Sequence, residues 1–214
     1  MFLERILESK RREVKERESR TPLGDLQRLA ERAPDARDLL DAVRRPGLGV
    51  IAEVKRASPS RGPIRPDLDA PTVARRYEAG GCVALSVLTD EAHFGARPDD
   101  LQRVRAAVSV PVLRKDFLLC EYQIWESRAM GADAVLLIAA ALEDAALARL
   151  IRLAGDLGMC ALVEVHTREE VERALAAGST LIGINNRDLH TFRVEVEVTR
   201  ALRPTIPRGL PVVS

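Results

Sequence analysis

The sequence alternates short apolar runs with amphipathic segments, beginning near residue 49. The apolar runs are mostly continuous, which is typical of strands that are covered on both faces. There are seven such runs, at 49–55, 82–88, 110–117, 132–140, 160–165, 181–186 and 210–214. Segments with a helical spacing of apolar residues separate them, at 71–80, 98–108, 122–132, 143–158 and 168–178.

This order of elements predicts the fold class. Strands that alternate with helices form right-handed βαβ units in a parallel sheet. Seven strands are one short of a (β/α)8 TIM barrel, the α/β fold that we expect here. A doubly wound open sheet is the alternative, but no G-x-G-x-x-G motif follows the first predicted strand.

The residues before the alternation predict a helical extension. Helical spacing of apolar residues predicts helices at Phe2–Glu18, Leu23–Ala33 and Asp38–Val43. Pro46 and Gly47 then interrupt the pattern. We therefore expect a single domain over 1–214, with the extension in 1–47 and barrel strands 1 to 7 in 48–214.

Composition and charge narrow the classes of partner. The 33 basic and 32 acidic residues nearly cancel, which disfavours nucleic acid and favours a small-molecule partner. Cys82, Cys120 and Cys160 are widely spaced and lack the pattern of a zinc site, so we expect free thiols and no bound metal. The N-terminus does not resemble a signal peptide, and no apolar run reaches the length of a membrane span. These features predict a cytoplasmic protein without a membrane partner.

Polar residues recur at the carboxyl ends of the predicted strands, where the reactive groups of parallel α/β barrels lie. They are Glu53, Lys55, Ser86, Lys115, Glu164 and Asn185. The two lysines stand out because only four of the 33 basic residues are lysines. A lysine can shift its pKa and transfer a proton, whereas an arginine stays protonated. The pattern therefore predicts acid–base chemistry at this face of the barrel.

Each of these residues also has a structural interpretation. Glu53 and Lys55 should point the same way from one strand, as a working pair or as a structural salt bridge. Alternation should turn Lys115 inward and its two neighbours away, although a snorkelling surface lysine is the alternative. Glu164 closes an apolar run and suits either a general base or an internal hydrogen-bond acceptor.

The loops after the strands add candidate binding residues. The first βα loop, 55–67, suits anion contact or a mobile lid, with an ordinary surface loop as the alternative. Its candidate residues are Ser58, Ser60, Arg61 and Gly62. Asn185 could meet a substrate hydroxyl, and Arg187 a phosphate. Four apolar residues could wall an aromatic substrate or simply pack in the core: Phe94, Phe117, Leu136 and Ile138. His93 and His166 are expected in solvated loops, without a catalytic role.

Five ordered blocks of the sequence resemble the indole-3-glycerol-phosphate synthase family of tryptophan biosynthesis. The blocks are IAEVKRASPSRG (51–62), SVLTD with HFG (86–95), PVLRKDF (111–117), ALVEVH (161–166) and IGINNRDL (182–189). With the N-terminal helical extension they cover essentially the whole chain. The resemblance implies a TIM-barrel carboxy-lyase that needs no cofactor. Its reaction closes the ring of 1-(2-carboxyphenylamino)-1-deoxyribulose 5-phosphate, with loss of CO2 and water.

The resemblance also implies a role for each matching residue. Lys115 is the general acid that protonates the substrate ketone, and Glu164 is the general base of the later dehydration. Lys55 holds the substrate's carboxylate or phosphate and shares the acid duty. Glu53 orients the lysines and takes part in proton transfer, and Asn185 fixes a substrate hydroxyl. The matching phosphate-side positions are Ser58 and Arg187.

A further expectation concerns the end of the chain. Family members continue after PVVS (211–214) with a Glu-Ser-Gly block, an eighth strand and a helix whose glycine-rich turns bind phosphate. Since this sequence ends at Ser214, we expect an incomplete barrel that lacks the eighth strand and helix. A non-catalytic fragment of the family is therefore the alternative to an active synthase. A related phosphate-binding isomerase barrel is disfavoured by the E-x-K and R-K-D-F blocks.

Overall fold

The computed structural model describes residues 2–59, 61–188 and 193–214, and its centre is a parallel sheet. Its seven strands are β1 (Ile51–Val54), β2 (Ala84–Leu88), β3 (Val112–Lys115), β4 (Ala134–Ile138), β5 (Cys160–Val165), β6 (Leu181–Ile184) and β7 (Val212–Val213). Each strand pairs with the next one in the chain. This sequential order is that of a barrel wall and excludes the doubly wound alternative, in which strand order reverses at a switch point. Among the described residues, β1 and β7 are the two edges and do not pair with each other.

Helices precede the sheet and connect its strands. The N-terminal extension forms α-helices at Phe2–Arg20, Leu23–Glu31 and Leu39–Arg44. Further α-helices lie at Ala70–Ala79, Glu91–Phe94, Asp100–Ala107, Glu121–Ala129, Asp144–Asp156, Arg168–Ala176 and Glu197–Leu202, and 3-10 helices at Ala139–Ala141 and Arg203–Thr205. The predicted helices are confirmed, with ends shifted by a few residues. No helix in the described ranges is both long and apolar enough to cross a bilayer.

The structure differs from the sequence pattern mainly after the strands. The predicted strands were too long, because residues such as Lys55 and Asn185 already belong to the loops that carry the site. The first βα loop contains a small hairpin, in which Ala57–Ser58 pairs antiparallel with Gly62–Pro63. The hairpin gives this loop a defined backbone course that its composition alone did not predict.

Side chains alternate across the sheet and form two apolar layers. One layer lies between the sheet and the helices and includes Val54, Val87 and Val135. The other fills the inside of the barrel wall and includes Leu113, Leu136 and Leu162. Leu39 of the helical extension joins the inner layer and is fully buried there, so the extension is part of the packed structure.

Candidate active site

A cavity of about 480 Å³ opens at the carboxyl ends of the strands. It brings together the candidate residues at the strand ends except Ser86, whereas Gly62 of the first βα loop does not line it. The charged and polar members are Glu53, Lys55, Ser58, Lys115, Glu164, Asn185 and Arg187, and the apolar members are Phe94, Phe117, Leu136 and Ile138. The convergence follows from the parallel sheet, since the carboxyl ends of its strands meet at one rim.

Glu53 is placed between the two lysines of the cavity. Its carboxylate forms an ion pair with Lys55, and its second oxygen lies 3.3 Å from the Nζ of Lys115. Burial acts to raise the pKa of Glu53, but the charges of Lys115 and Lys55 prevail and hold that pKa below its ordinary value. The three side chains are each about one-third exposed, at 29%, 32% and 33%, so their charges remain accessible to a ligand.

Glu164 lies on a different part of the rim, at the end of β5. Its Oε1 accepts a hydrogen bond from the Asn185 amide at 3.0 Å. The Oδ1 of Asn185 in turn accepts a hydrogen bond from the backbone N–H of Arg187, at 2.9 Å. The amide orientation is therefore fixed from both ends, and the second carboxylate oxygen of Glu164 is not used by this hydrogen bond.

His166 is placed differently from the sequence expectation. Instead of lying in a solvated loop, its side chain is only 14% exposed, with Nε2 3.6 Å from Glu164 Oε1. Its Nδ1 lies 3.3 Å from Glu170 Oε2, and the same oxygen accepts the backbone N–H of His166 at 2.6 Å. Burial acts to lower the pKa of His166, but the Glu170 hydrogen bond and the charge of Glu164 raise it above its ordinary value.

Only some of the candidate residues in the first βα loop and the second strand line the cavity. Ser58, Arg61 and Ile64 line the cavity, whereas Ser60 lies outside the described residues. Ser86 lies within β2, one layer below the rim, in a smaller cavity of about 220 Å³ inside the barrel wall. Its position reflects the length of β2, which continues for two residues beyond it.

Phe94 is positioned by a short helix after β2. The carboxylate of Asp90 accepts a hydrogen bond from the His93 backbone N–H at 2.7 Å and so begins the helix Glu91–Phe94. The helix ends at Gly95, whose left-handed φ of 65° favours glycine. The apolar ring of Phe94 is thereby held at the cavity rim.

Several lining residues were missed by the sequence analysis. Leu3 and Ile6 of the N-terminal helix line the cavity, so this helix covers part of the site. Asp90 and Asp116 also line it, and their carboxylates meet the buried Lys10 of the same helix. A signal was present, because Ile6, Lys10 and Val14 are spaced by four residues and all three are buried. Lys10 thus occupies the apolar stripe of a helix whose other lysine, Lys15, is exposed.

The fold and the site define an α/β-barrel enzyme with acid and base groups at the carboxyl ends of its strands. A family profile described as "Indole-3-glycerol phosphate synthase" matches residues 3–214. The chain belongs to the indole-3-glycerol phosphate synthase family. Among the relatives with that name, the protein of Mycolicibacterium gilvum is 52% identical, and the match covers 97% of this chain and 76% of that protein. The protein of Carboxydothermus hydrogenoformans is 46% identical, and the match covers 100% of this chain and 84% of that protein.

Solved structures support the fold alone. An N-acetylmannosamine-6-phosphate 2-epimerase from Clostridium perfringens superposes with a TM-score of 0.59 at 14% identity, covering 82% of this chain and 78% of that chain. A thiamine phosphate pyrophosphorylase from Pyrococcus furiosus gives 0.56 at 16% identity, covering 82% and 75%. At such low identity the likeness concerns the barrel architecture and not the reaction.

Proposed function

We propose that the protein is an indole-3-glycerol phosphate synthase, a carboxy-lyase of tryptophan biosynthesis. Its substrate is 1-(2-carboxyphenylamino)-1-deoxyribulose 5-phosphate, which closes to indole-3-glycerol phosphate with loss of CO2 and water. The observation that carries the proposal is the convergence, in one cavity, of two lysines bridged by Glu53 and of Glu164 paired with Asn185. Relatives that bear this name match at about half identity and support the same reaction.

Ring closure needs an acid at the ketone. An aromatic carbon is a weak nucleophile, so a proton donor that stabilises the developing alkoxide lowers the barrier. We assign this role to Lys115, whose ammonium is held 3.3 Å from Glu53 Oε2. Glu53 keeps its negative charge because its pKa is depressed, and it can therefore orient the ammonium groups of Lys55 and Lys115 together.

Dehydration needs a base away from that acid. Once the carboxylate has left as CO2, the hydroxyl takes a proton from the acid and leaves as water, and the adjacent ring carbon gives up a proton to a base as the double bond forms. We assign Glu164 to accept this proton, because Asn185 fixes one carboxylate oxygen and leaves the other available. Placing the two proton transfers on β3 and β5 allows one group to donate while the other accepts. The reaction has no net change of oxidation state, so we propose no redox cofactor.

The remaining lining residues suit the shape and charge of this substrate. Lys55, Ser58 and Arg187 are proposed to contact its carboxylate and phosphate. The aromatic ring would lie against Phe94, Phe117, Leu136 and Ile138. All three cysteines are free, which supports the proposal that the enzyme acts in the reducing cytoplasm, without nucleic acid or membrane partners.

The test is to incubate the purified protein with the substrate and to follow the fluorescence of indole-glycerol phosphate together with CO2 release. Both products should appear in equal amounts, and K115A/E164Q should abolish them while remaining folded. A folded wild-type protein that binds the substrate without forming either product would instead favour the non-catalytic alternative. Product formation unchanged in the double variant would reject the assigned residues.

A further inference from the structure

Lys10 is a fully buried lysine on the N-terminal helix, with a side-chain exposure of 0%. Its Nζ lies 2.8 Å from Asp90 Oδ2 and 2.9 Å from Asp116 Oδ1, and a third carboxylate, that of Glu13, lies at 2.8 Å. Asp90 follows β2 and Asp116 follows β3. One ammonium therefore joins the N-terminal helix to the carboxyl ends of two neighbouring strands.

Both aspartates hold backbone that carries cavity residues. The other oxygen of Asp90 accepts the His93 N–H at 2.7 Å, in the helix that presents Phe94. Asp116 directly follows Lys115, and its Oδ1 accepts the Phe117 N–H at 2.8 Å. The oxygen of Asp116 that meets Lys10 is thus the same oxygen that fixes the backbone immediately after the proposed general acid.

Docking of the N-terminal helix does not by itself explain this buried charge. The helix also packs through Val14 into an apolar cluster with Leu26 and Tyr122, and Arg17 pairs with Glu126 at 3.1 Å. A buried charge is retained only with close partners, because its desolvation is costly. The ammonium lies at the junction of β2 and β3, beside the cavity, where a compact charge can meet three carboxylates at once.

We propose that Lys10 is a positioning residue for ring closure, acting through Asp90 and Asp116 to hold Lys115, Phe94 and Phe117 in their working places. This inference rests on the proposed function. Because the Lys10 side chain has zero exposure, we expect the larger planar guanidinium of arginine to fit only by displacing one of the groups around it.

The experiment uses K10M, K10R, the double variant K10M/D90N and the control V14A. K10M keeps the length of the side chain but leaves both aspartates without their shared cation. K10M/D90N removes one cation and one anion together, so Asp90 no longer leaves an unpaired buried charge that destabilises the fold. Asp116 remains paired with Arg114 at 3.1 Å. V14A loosens the same helix at its apolar cluster with Leu26 and Tyr122, away from the aspartates.

Three measurements are made on each variant: kcat and KM, the melting temperature followed by the single Trp125, and backbone amide exchange of residues 89–96 and 114–118. K10M and K10M/D90N should lower kcat by about tenfold or more, with faster exchange in both segments. K10R should not restore the wild-type rate. V14A should lower the melting temperature while kcat stays within about twofold of wild type.

Two results would overturn the proposal. The first is recovery of kcat in K10M/D90N together with its melting temperature, since Lys10 would then act only through stability. The second is an equal loss of kcat in V14A and K10M at matched melting temperatures. Wild-type turnover tests the proposed function separately, and amide exchange decides whether Lys10 holds the two segments even if that function is wrong.

Discussion

Strand β3 carries charged residues on both of its faces, and the two faces differ in accessibility. Lys115 points into the cavity, where it and its partner Glu53 are each about one-third exposed. On the opposite, sealed face, Arg114 is fully buried, and its partner Asp116, which follows β3 and borders the cavity, is fully buried as well. Similar residue types thus serve different purposes on one strand, because a spacing of two residues selects the face. Accessibility, more than charge, distinguishes the proposed reactive groups from the buried network.

The sealed face is fully paired. The Arg114 guanidinium contacts Asp116 at 3.1 Å, Glu126 at 2.7 Å and the Ser127 hydroxyl at 3.0 Å. Burial acts to raise the pKa of Asp116, but the charges of Arg114 and Lys10 hold it well below its ordinary value. Asp116 therefore stays ionised throughout the neutral range and is suited to holding structure, not to exchanging protons.

The largest expected effect is on the cavity face. Lys115→Ala should lower kcat by at least about 10²-fold with a smaller change in KM, because a general acid acts in the transition state. Lys115→Arg should not rescue turnover, since arginine is a poor proton donor. The matched control is Lys15→Ala at an exposed position of the N-terminal helix. Near-full turnover of the alanine variant would remove Lys115 from the mechanism.

The next prediction concerns Glu164, which is more deeply buried than Glu53, and asks whether it acts as a base in the reaction. Glu164→Gln keeps the size of the side chain but removes the base, so single-turnover rate should fall by about tenfold to hundredfold with little change in substrate binding. A purely structural acceptor would instead change the melting temperature and leave the rate intact. Glu172→Gln, at an exposed helical position, is the control for removal of a carboxylate charge.

On the sealed face, the expected loss is in stability. Arg114→Met leaves Asp116 and Glu126 without their shared cation, so the free energy of unfolding should fall by about 3–5 kcal/mol. Urea denaturation measures this loss. Arg45→Met breaks an exposed ion pair with Asp41 and should change stability by less than about 1 kcal/mol. Equal losses in the two variants would mean that the buried network contributes no more than a surface pair.

The difference between these faces also explains what could be predicted from sequence. Period-two alternation was sufficient to turn Lys115 inward, and the parallel order of strands placed Glu53 and Glu164 on one rim. The burial of Lys10 was not predicted because its helix is rich in charges, and its partners follow strands that are distant in sequence. Only the position of Lys10 on the apolar stripe indicated it.

The enclosure of His166 could have been anticipated from a local pattern. Thr167 and Glu170 have the spacing of a capping box, and Thr167 Oγ1 accepts the Glu170 N–H at 3.2 Å. The Glu170 side chain then reaches back to the backbone N–H of His166 instead of that of Thr167. This hydrogen bond draws His166 against the end of β5, which composition alone did not reveal.

The smallest expected effect concerns His166, whose side-chain exposure of 14% is intermediate between that of Lys115 and that of Arg114. It faces Glu164 at the end of β5, Glu170 on the following helix and Asp188 after β6. Because its folded pKa is raised above the ordinary 6.5, the imidazolium contributes stability that is fully present below about pH 6.5 and is lost as pH rises through the folded pKa. His166→Gln should therefore destabilise the protein more at about pH 5.5 than at about pH 8.5. Urea denaturation at the two pH values measures this difference, and a destabilisation that grows with pH would mean that the neutral imidazole is the form the fold prefers.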